Sequence, residues 1–125
     1  LGSPEQVQNF PFGGIMETMT VRLIAEDAMD FNGTVAFETT DSGESCAMEV
    51  RRGICQFYKT APGHTQATVR FDRKFLLQWL FGRTTFEEGV ENNAVSIDGD
   101  TNLVGEFLAK FEPFNQAGDI PVAVR

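Results

Sequence analysis

The sequence predicts an α+β fold: a five-stranded, mostly antiparallel sheet covered by helices on one face, with elements in the order α-β-β-β-β-α-α-β-α. Three observations carry this. Between residues 34 and 71, four short stretches alternate apolar and polar residues and are punctuated by Asp41-Ser42-Gly43, Arg52-Gly53 and Pro62-Gly63. On both sides of them, apolar residues recur at helical spacing. Finally, 125 residues with no internal repeat or linker fit one domain around a single core.

Residues 1–13, rich in Gly, Pro, Gln and Asn, are expected to form a flexible arm in which only Phe10 and Phe12 offer packing. The chain begins Leu1-Gly2-Ser3 rather than with methionine, which reads as a short cloning remnant. The domain is expected to span 14–114, with an irregular tail at 115–125. Ile15, Met16, Met19, Leu23, Ile24 and Ala28 predict a helix over 14–30, closed by Asn32-Gly33. Four strands follow at 34–40, 45–50, 54–59 and 66–71, read as a meander of adjacent antiparallel strands.

Strand register decides the cysteines. With Arg52-Gly53 as a two-residue loop, Val50 faces Cys55, and Cys46, Met48, Val50, Cys55 and Phe57 share one apolar face. Cys46 then lies about 13 Å along the ladder from the position opposite Cys55, beyond the roughly 7 Å a disulfide can span. Two reduced, buried thiols are expected.

Asp72 has the character of an N-cap for a helix carrying Phe75, Leu76, Leu77, Trp79, Leu80 and Phe81, and Gly82 stops it. Thr84 with Glu87 and Thr85 with Glu88 have capping-box spacing, predicting a second short helix with Phe86 and Val90 on its inner face. A strand at 94–98 then leads through Asp98-Gly99-Asp100 into a final helix at 101–111, on which Leu103, Val104, Phe107, Leu108 and Phe111 recur at helical spacing. Pro113 ends it.

Composition excludes several function classes. A net charge of −8 argues against nucleic acid, whose phosphates demand clustered Lys and Arg. No apolar run reaches the roughly 18 to 20 residues of a membrane span, and nothing at the start resembles a signal peptide, so the compartment is left open. One histidine and two cysteines offer no metal-ligand spacing, and no cofactor motif is present. The acidic cluster at 98–100 lacks the later positions of a calcium loop. Glu87 and Glu88 point apart on a helix, as capping residues rather than an acid/base pair. A hydrolase using His64 is formally open, yet no spacing supports it, and the chain by itself is not expected to be an enzyme.

Twelve Phe and four Met against a single Tyr leave a large stock of soft apolar surface that needs no hydrogen-bond partner. Two uses compete: a filled core, or a core with a gap for an apolar ligand.

At this point two stretches are informative together. They are "FNGTVAFETTDSGESCAMEVRRGICQFY" (31–58) and "ATVRFDRKFLLQWLFGRTTFEEGVENNAVSIDGDTNLVGEFLAKFEPF" (67–114). The second holds a strand feeding a D-x-x-F-L-L helix, the glycine after it, a short helix with an acidic pair, and a V-S-I-D-G-D strand end before an amphipathic helix. From about Met29 to Phe114 the chain resembles the C-terminal domain of bacterial alkyl sulfatases, in the sterol carrier protein 2 (SCP-2) superfamily. The resemblance implies an apolar cavity between sheet and helices. It also implies a non-catalytic module, with hydrolysis left to a separate zinc-binding, metallo-β-lactamase-type catalytic domain whose His- and Asp-rich ligand motif is absent here.

On this reading Phe75, Leu76, Trp79, Leu80, Phe86, Leu103, Phe107, Leu108 and Phe111 line the cavity, with Met48 and Phe57 on the sheet floor. The expected partner is a fatty acid, an alkyl sulfate or another long-chain lipid. The rival reading is a docking or dimerisation module with a filled core.

Overall fold

The computed structural model describes residues 12–112. Its strands are β1 (Asn32–Thr39), β2 (Ser45–Arg51), β3 (Ile54–Tyr58), β4 (Ala67–Phe71) and β5 (Ser96–Gly99). They form one sheet in the order β3-β2-β1-β4-β5. The helices are α1 (Phe12–Glu17), α2 (Ala25–Ala28), α3 (Arg73–Leu80), α4 (Phe86–Glu91) and α5 (Thr101–Leu108), with a 3₁₀ segment at Thr18–Arg22. The α+β class and the five-stranded, mostly antiparallel sheet agree with the sequence reading.

The β2–β3 register is the expected one, with Val50 opposite Cys55 and Met48 opposite Phe57. Arg52 and Gly53 both take positive φ, 54° and 78°, the backbone of a type I′ hairpin whose twist matches the strands it joins. Both cysteines are free, as expected, but only Cys46 is buried; Cys55, on the edge strand β3, is half-buried. Burial pushes each thiol up to about 12, so neither is a ready nucleophile.

The meander, however, stops at β3. β4 pairs in parallel with β1, Val35 opposite Ala67 through Thr39 opposite Phe71, so that β1 and not β3 is its neighbour. β1 is the central strand, buried continuously from Gly33 to Phe37, and a central strand needs a partner on each side. Because β3 and β4 run the same way, no tight hairpin can join them. The intervening segment 59–66 crosses behind β2 and β1, where His64 bonds to Glu49 of β2. Small side chains, Ala36 and Ala47, leave room for it on that face.

The expected helix over 14–30 is also divided. Leu23 leaves the helical region, with φ −64° and ψ 131°, to form an antiparallel bridge with Phe111. Ile24 N–H donates to the Lys110 carbonyl at 2.8 Å, and Glu112 N–H donates to the Arg22 carbonyl at 2.9 Å. Thr18 and Thr20 back-bond to the carbonyls of Ile15 and Glu17, which weakens regular helix before the break. Asn32-Gly33 accordingly opens β1 instead of closing a helix, and α5 ends at Leu108 so that Phe111 can join the bridge. Phe12, assigned with the arm, is buried against Phe71 at 6.2 Å between ring centroids. Gly13, also assigned with the arm, lies in α1; residues 1–11 of the arm, Pro113, Phe114 and the tail at 115–125 lie outside the described residues.

The expected Asp72 cap forms, and of the two capping-box pairs it is Thr85 with Glu88, not Thr84 with Glu87, that caps α4. The Asp72 carboxylate accepts from Phe75 N–H at 2.8 Å and Asp100 accepts from Leu103 N–H at 3.0 Å. Thr85 and Glu88 form a reciprocal capping box. Gly82, at φ 76°, closes α3 in a Schellman turn: Gly82 N–H bonds to the Trp79 carbonyl and Arg83 N–H to the Gln78 carbonyl. The helices pack on the sheet face bearing Val35, Phe37, Met48, Val50, Val69 and Phe71, where Phe37, Phe71, Phe75, Phe86 and Phe107 touch ring to ring.

Candidate functional site

α3, the Gly82 turn, α4, β5 and α5 all contribute to the walls of one opening. The space left open there is a groove of about 580 Å³. Its apolar walls are Trp79 from α3, Phe86 and Val90 from α4, Ile97 from β5, and Val104, Leu108 and Ala109 from α5 and its C-cap. Met19 and Phe111 also line it. Trp79 stands edge-on to Phe86, centroids 5.0 Å apart. Thr84, Thr85 and Thr101 add hydroxyls, and Arg22, Glu87, Glu91 and Glu112 add charges.

α5 builds this wall by carrying two apolar faces. Thr101, Val104, Gly105 and Leu108 fall at i, i+3, i+4 and i+7 and face the groove. Leu103 and Phe107 turn to the sheet: Phe107 is fully buried against Phe37, and Leu103 approaches Gly33. Gly105 has open space where a Cβ would stand, which keeps the groove wide at mid-helix.

Of the eleven side chains expected to line a cavity, four do line this groove: Trp79, Phe86, Leu108 and Phe111. The other seven stand behind it or away from it. Met48, Phe75, Leu76, Leu80 and Phe107 are buried core, while Phe57 and Leu103 are half-buried and packed against that core. The opening therefore lies between two helices over the edge strand, not between helices and the centre of the sheet, whose face is filled by phenylalanine rings. Sequence reasoning missed Met19, Val90, Ile97, Val104 and Gly105. The spacing of Val90 after Phe86, and of Leu108 after Val104, was the available signal.

A second polar cluster sits on the opposite sheet face. Glu49 accepts from the Tyr58 hydroxyl at 2.9 Å and the Thr34 hydroxyl at 3.1 Å, and its Oε2 lies 3.0 Å from His64 Nε2. The Tyr58 hydrogen bond, helped by those from Thr34 and His64 and opposed by partial burial, holds the Glu49 carboxyl below its ordinary range. The hydroxyls beside His64 donate to the carboxylate rather than to the imidazole, so the arrangement activates no nucleophile. Its role is to pin the crossing segment. Among the described residues no group of three His, Cys, Asp or Glu is placed to hold a metal ion, and no helix is long and apolar enough to cross a membrane.

Comparison with known proteins follows the same lines. Residues 1–120 match the family described as alkyl sulfatase C-terminal. A linear primary-alkylsulfatase of Pseudomonas sp. (strain ATCC 19151) is 24% identical over 98% of the chain, which spans only 22% of that relative's length. Among solved structures, a double mutant of the sec-alkyl sulfatase PisA1 from Pseudomonas sp. superposes with a TM-score of 0.75 at 18% identity, covering 86% of this chain and 17% of that one. Palmitated SCP2L2 from Aedes aegypti superposes with a TM-score of 0.63 at 16% identity, covering 80% of this chain and 93% of that domain. The fold is of sterol carrier protein 2 type.

Proposed function

The chain belongs to the alkyl sulfatase C-terminal family, and on that premise we propose that it is a non-catalytic module that holds an alkyl chain in the groove between α4 and α5. The observation that carries this reading is the groove itself. Its volume of about 580 Å³ falls in the range of small-molecule sites, and most of its lining is aliphatic and aromatic, with a few hydroxyl and charged side chains among it. A domain of the same fold that fits over nearly its whole length is described as palmitated, which supports an acyl or alkyl chain as the occupant.

Trp79, Phe86, Leu108 and Phe111 contact the chain on this reading, joined by Val90, Ile97 and Val104. Met48, Phe57, Phe75, Leu76, Leu80, Leu103 and Phe107 support them from the core. Each buried methylene contributes roughly 0.8 kcal/mol, so a twelve-carbon chain gains on the order of 9 kcal/mol gross. Association costs reduce that to the micromolar range. Hydrolysis of an alkyl sulfate would fall to a separate metallo-β-lactamase-type zinc domain, a reading supported by this chain's spanning only 22% of the alkylsulfatase it matches. The domain's part is to hold or pass on the chain.

The test is native mass spectrometry of the purified protein, then titration with dodecyl sulfate below its micelle threshold and with palmitate. A co-purifying lipid or saturable one-to-one binding is expected. An empty protein that binds neither would instead make this a docking module with a filled core.

A further inference from the structure

Met19 and Leu23 stand four residues apart, the spacing of one helix face, yet Leu23 is extended and pairs with Phe111. The bridge is isolated and belongs to no strand of the sheet. Two backbone hydrogen bonds hold it: Ile24 N–H to the Lys110 carbonyl at 2.8 Å, and Glu112 N–H to the Arg22 carbonyl at 2.9 Å. The segment leading into it, Thr18–Arg22, is 3₁₀ helix, whose poorer hydrogen-bond geometry often marks a hinge. Upstream, α1 anchors the segment through buried Phe12, Ile15 and Met16, and downstream Ala28 is buried; Val21 in between is exposed. Both partners of the bridge carry groove-lining side chains, Met19 and Arg22 on one side, Phe111 and Glu112 on the other. Phe111 also rests on Phe107, ring centroids 5.2 Å apart. Ile24 and Lys110 do not line the groove.

We propose that the Leu23–Phe111 bridge is a strap that closes on the bound alkyl chain: a chain lying against Met19 and Phe111 favours the paired state, and unpairing lets it go. This rests on the alkyl-chain reading above and adds a control on how long the chain is held. The coupling is reciprocal, so a chain that stabilises the strap is itself stabilised by the strap to the same factor. An unpaired state has partners for what it releases. Leu23 can rejoin the helix that its spacing from Met19 supports, and the amide of exposed Glu112 can turn to water.

The experiment is amide hydrogen exchange on the full chain, with and without saturating palmitate or dodecyl sulfate, the latter below its micelle threshold. Protection of the Ile24 and Glu112 amides should rise by roughly fivefold or more, the lower range of such couplings. The Gly43 amide, bonded to the Thr39 carbonyl in a turn outside the groove, should not move. Ile24→Pro then deletes one of the two bonds; its φ of −88° and the extended Leu23 before it lie close to what proline requires. It should weaken both ligands by roughly fivefold or more and speed their release. Should that variant fail to fold, the pair Ile24→Cys with Lys110→Cys replaces it. Residues opposite each other in an antiparallel pair lie about 5.5 Å apart between Cα atoms, inside the range of a disulfide. Oxidation should slow palmitate release by roughly fivefold or more relative to the reduced pair. Saturable binding that leaves the Ile24 and Glu112 amides unmoved, or release rates indifferent to these variants, overturns the strap and leaves the alkyl-chain reading standing. Saturable binding of neither ligand overturns both.

Discussion

Trp79 meets Phe86 edge to face, with ring centroids 5.0 Å and planes 62° apart, although one lies in the last turn of α3 and the other opens α4. The Gly82 turn between them brings both onto one wall of the groove.

Trp79 is the only tryptophan, so its emission reports on this wall alone. Filling the groove with an alkyl chain should shift the emission to the blue and lower its quenching by acrylamide, both saturating together. An emission spectrum unchanged at concentrations where mass spectrometry shows a complex would place the chain elsewhere.

Gly105 separates occupancy from stability. A Cβ there meets nothing within 4 Å, and glycine inside a helix costs roughly 1 kcal/mol relative to alanine. Gly105→Ala should therefore raise stability by about 0.5–1 kcal/mol in urea denaturation. Gly105→Trp should instead occlude the groove and weaken dodecyl sulfate and palmitate binding by tenfold or more, longer chains suffering most, without lowering stability. Equal loss for all chain lengths would count against the groove.

Phe107, one turn-face away, should behave in the opposite manner. It is fully buried and faces the sheet, so Phe107→Ala should cost about 3–5 kcal/mol as a cavity opens among the rings. Phe107→Trp overpacks the core for about 1–3 kcal/mol rather than narrowing the groove. Chemical denaturation of both variants checks this.

Gly89 holds α4 close to its neighbours. An added Cβ would stand 2.5 Å from Val95 Cγ2 and 2.7 Å from Phe75 Cε1. Gly89→Ala should destabilise by about 1–3 kcal/mol despite alanine's better helix propensity, because the helix must retreat from the core. A neutral or stabilising result in thermal denaturation would mean that α4 is free to shift.

Glu49 predicts an acid-side loss of stability. Its folded pKa lies below the ordinary 4.5, chiefly through the Tyr58 hydrogen bond. Its contribution is therefore complete above the unfolded value and disappears as pH falls through the folded one. Glu49→Gln should lose stability near neutral pH, and its deficit against the unaltered chain should shrink as pH falls below the ordinary 4.5 and through the lowered folded value. A deficit constant across that range would show that the lost contribution is not ionic.

Elements whose signals are local were legible. Asp72, Thr85 with Glu88, and Asp100 are caps because a side-chain oxygen three residues ahead of an amide satisfies it whatever the rest of the chain does. The Arg52-Gly53 hairpin imposed the β2–β3 register, and with it the separation of the two thiols. The long apolar run of α3 was legible as helix, and Gly82 as its stop.

The sequence by itself therefore determined the class, the five strands, the three helices after β4, most of the caps and one hairpin register. All of these rest on contacts within a few residues. Tertiary structure decided the rest. β4 sits beside β1 because a central strand must satisfy both edges, a demand no alternation of residues announces. Leu23 left its helix because Phe111, 88 residues away, offered a bridge. Phe107 went to the core and Leu108 to the groove, although each was equally apolar as a symbol, because the twist of α5 against the sheet chooses which face is covered. A periodic pattern marks which residues avoid water; only the assembled layers determine whether protein or ligand keeps it away.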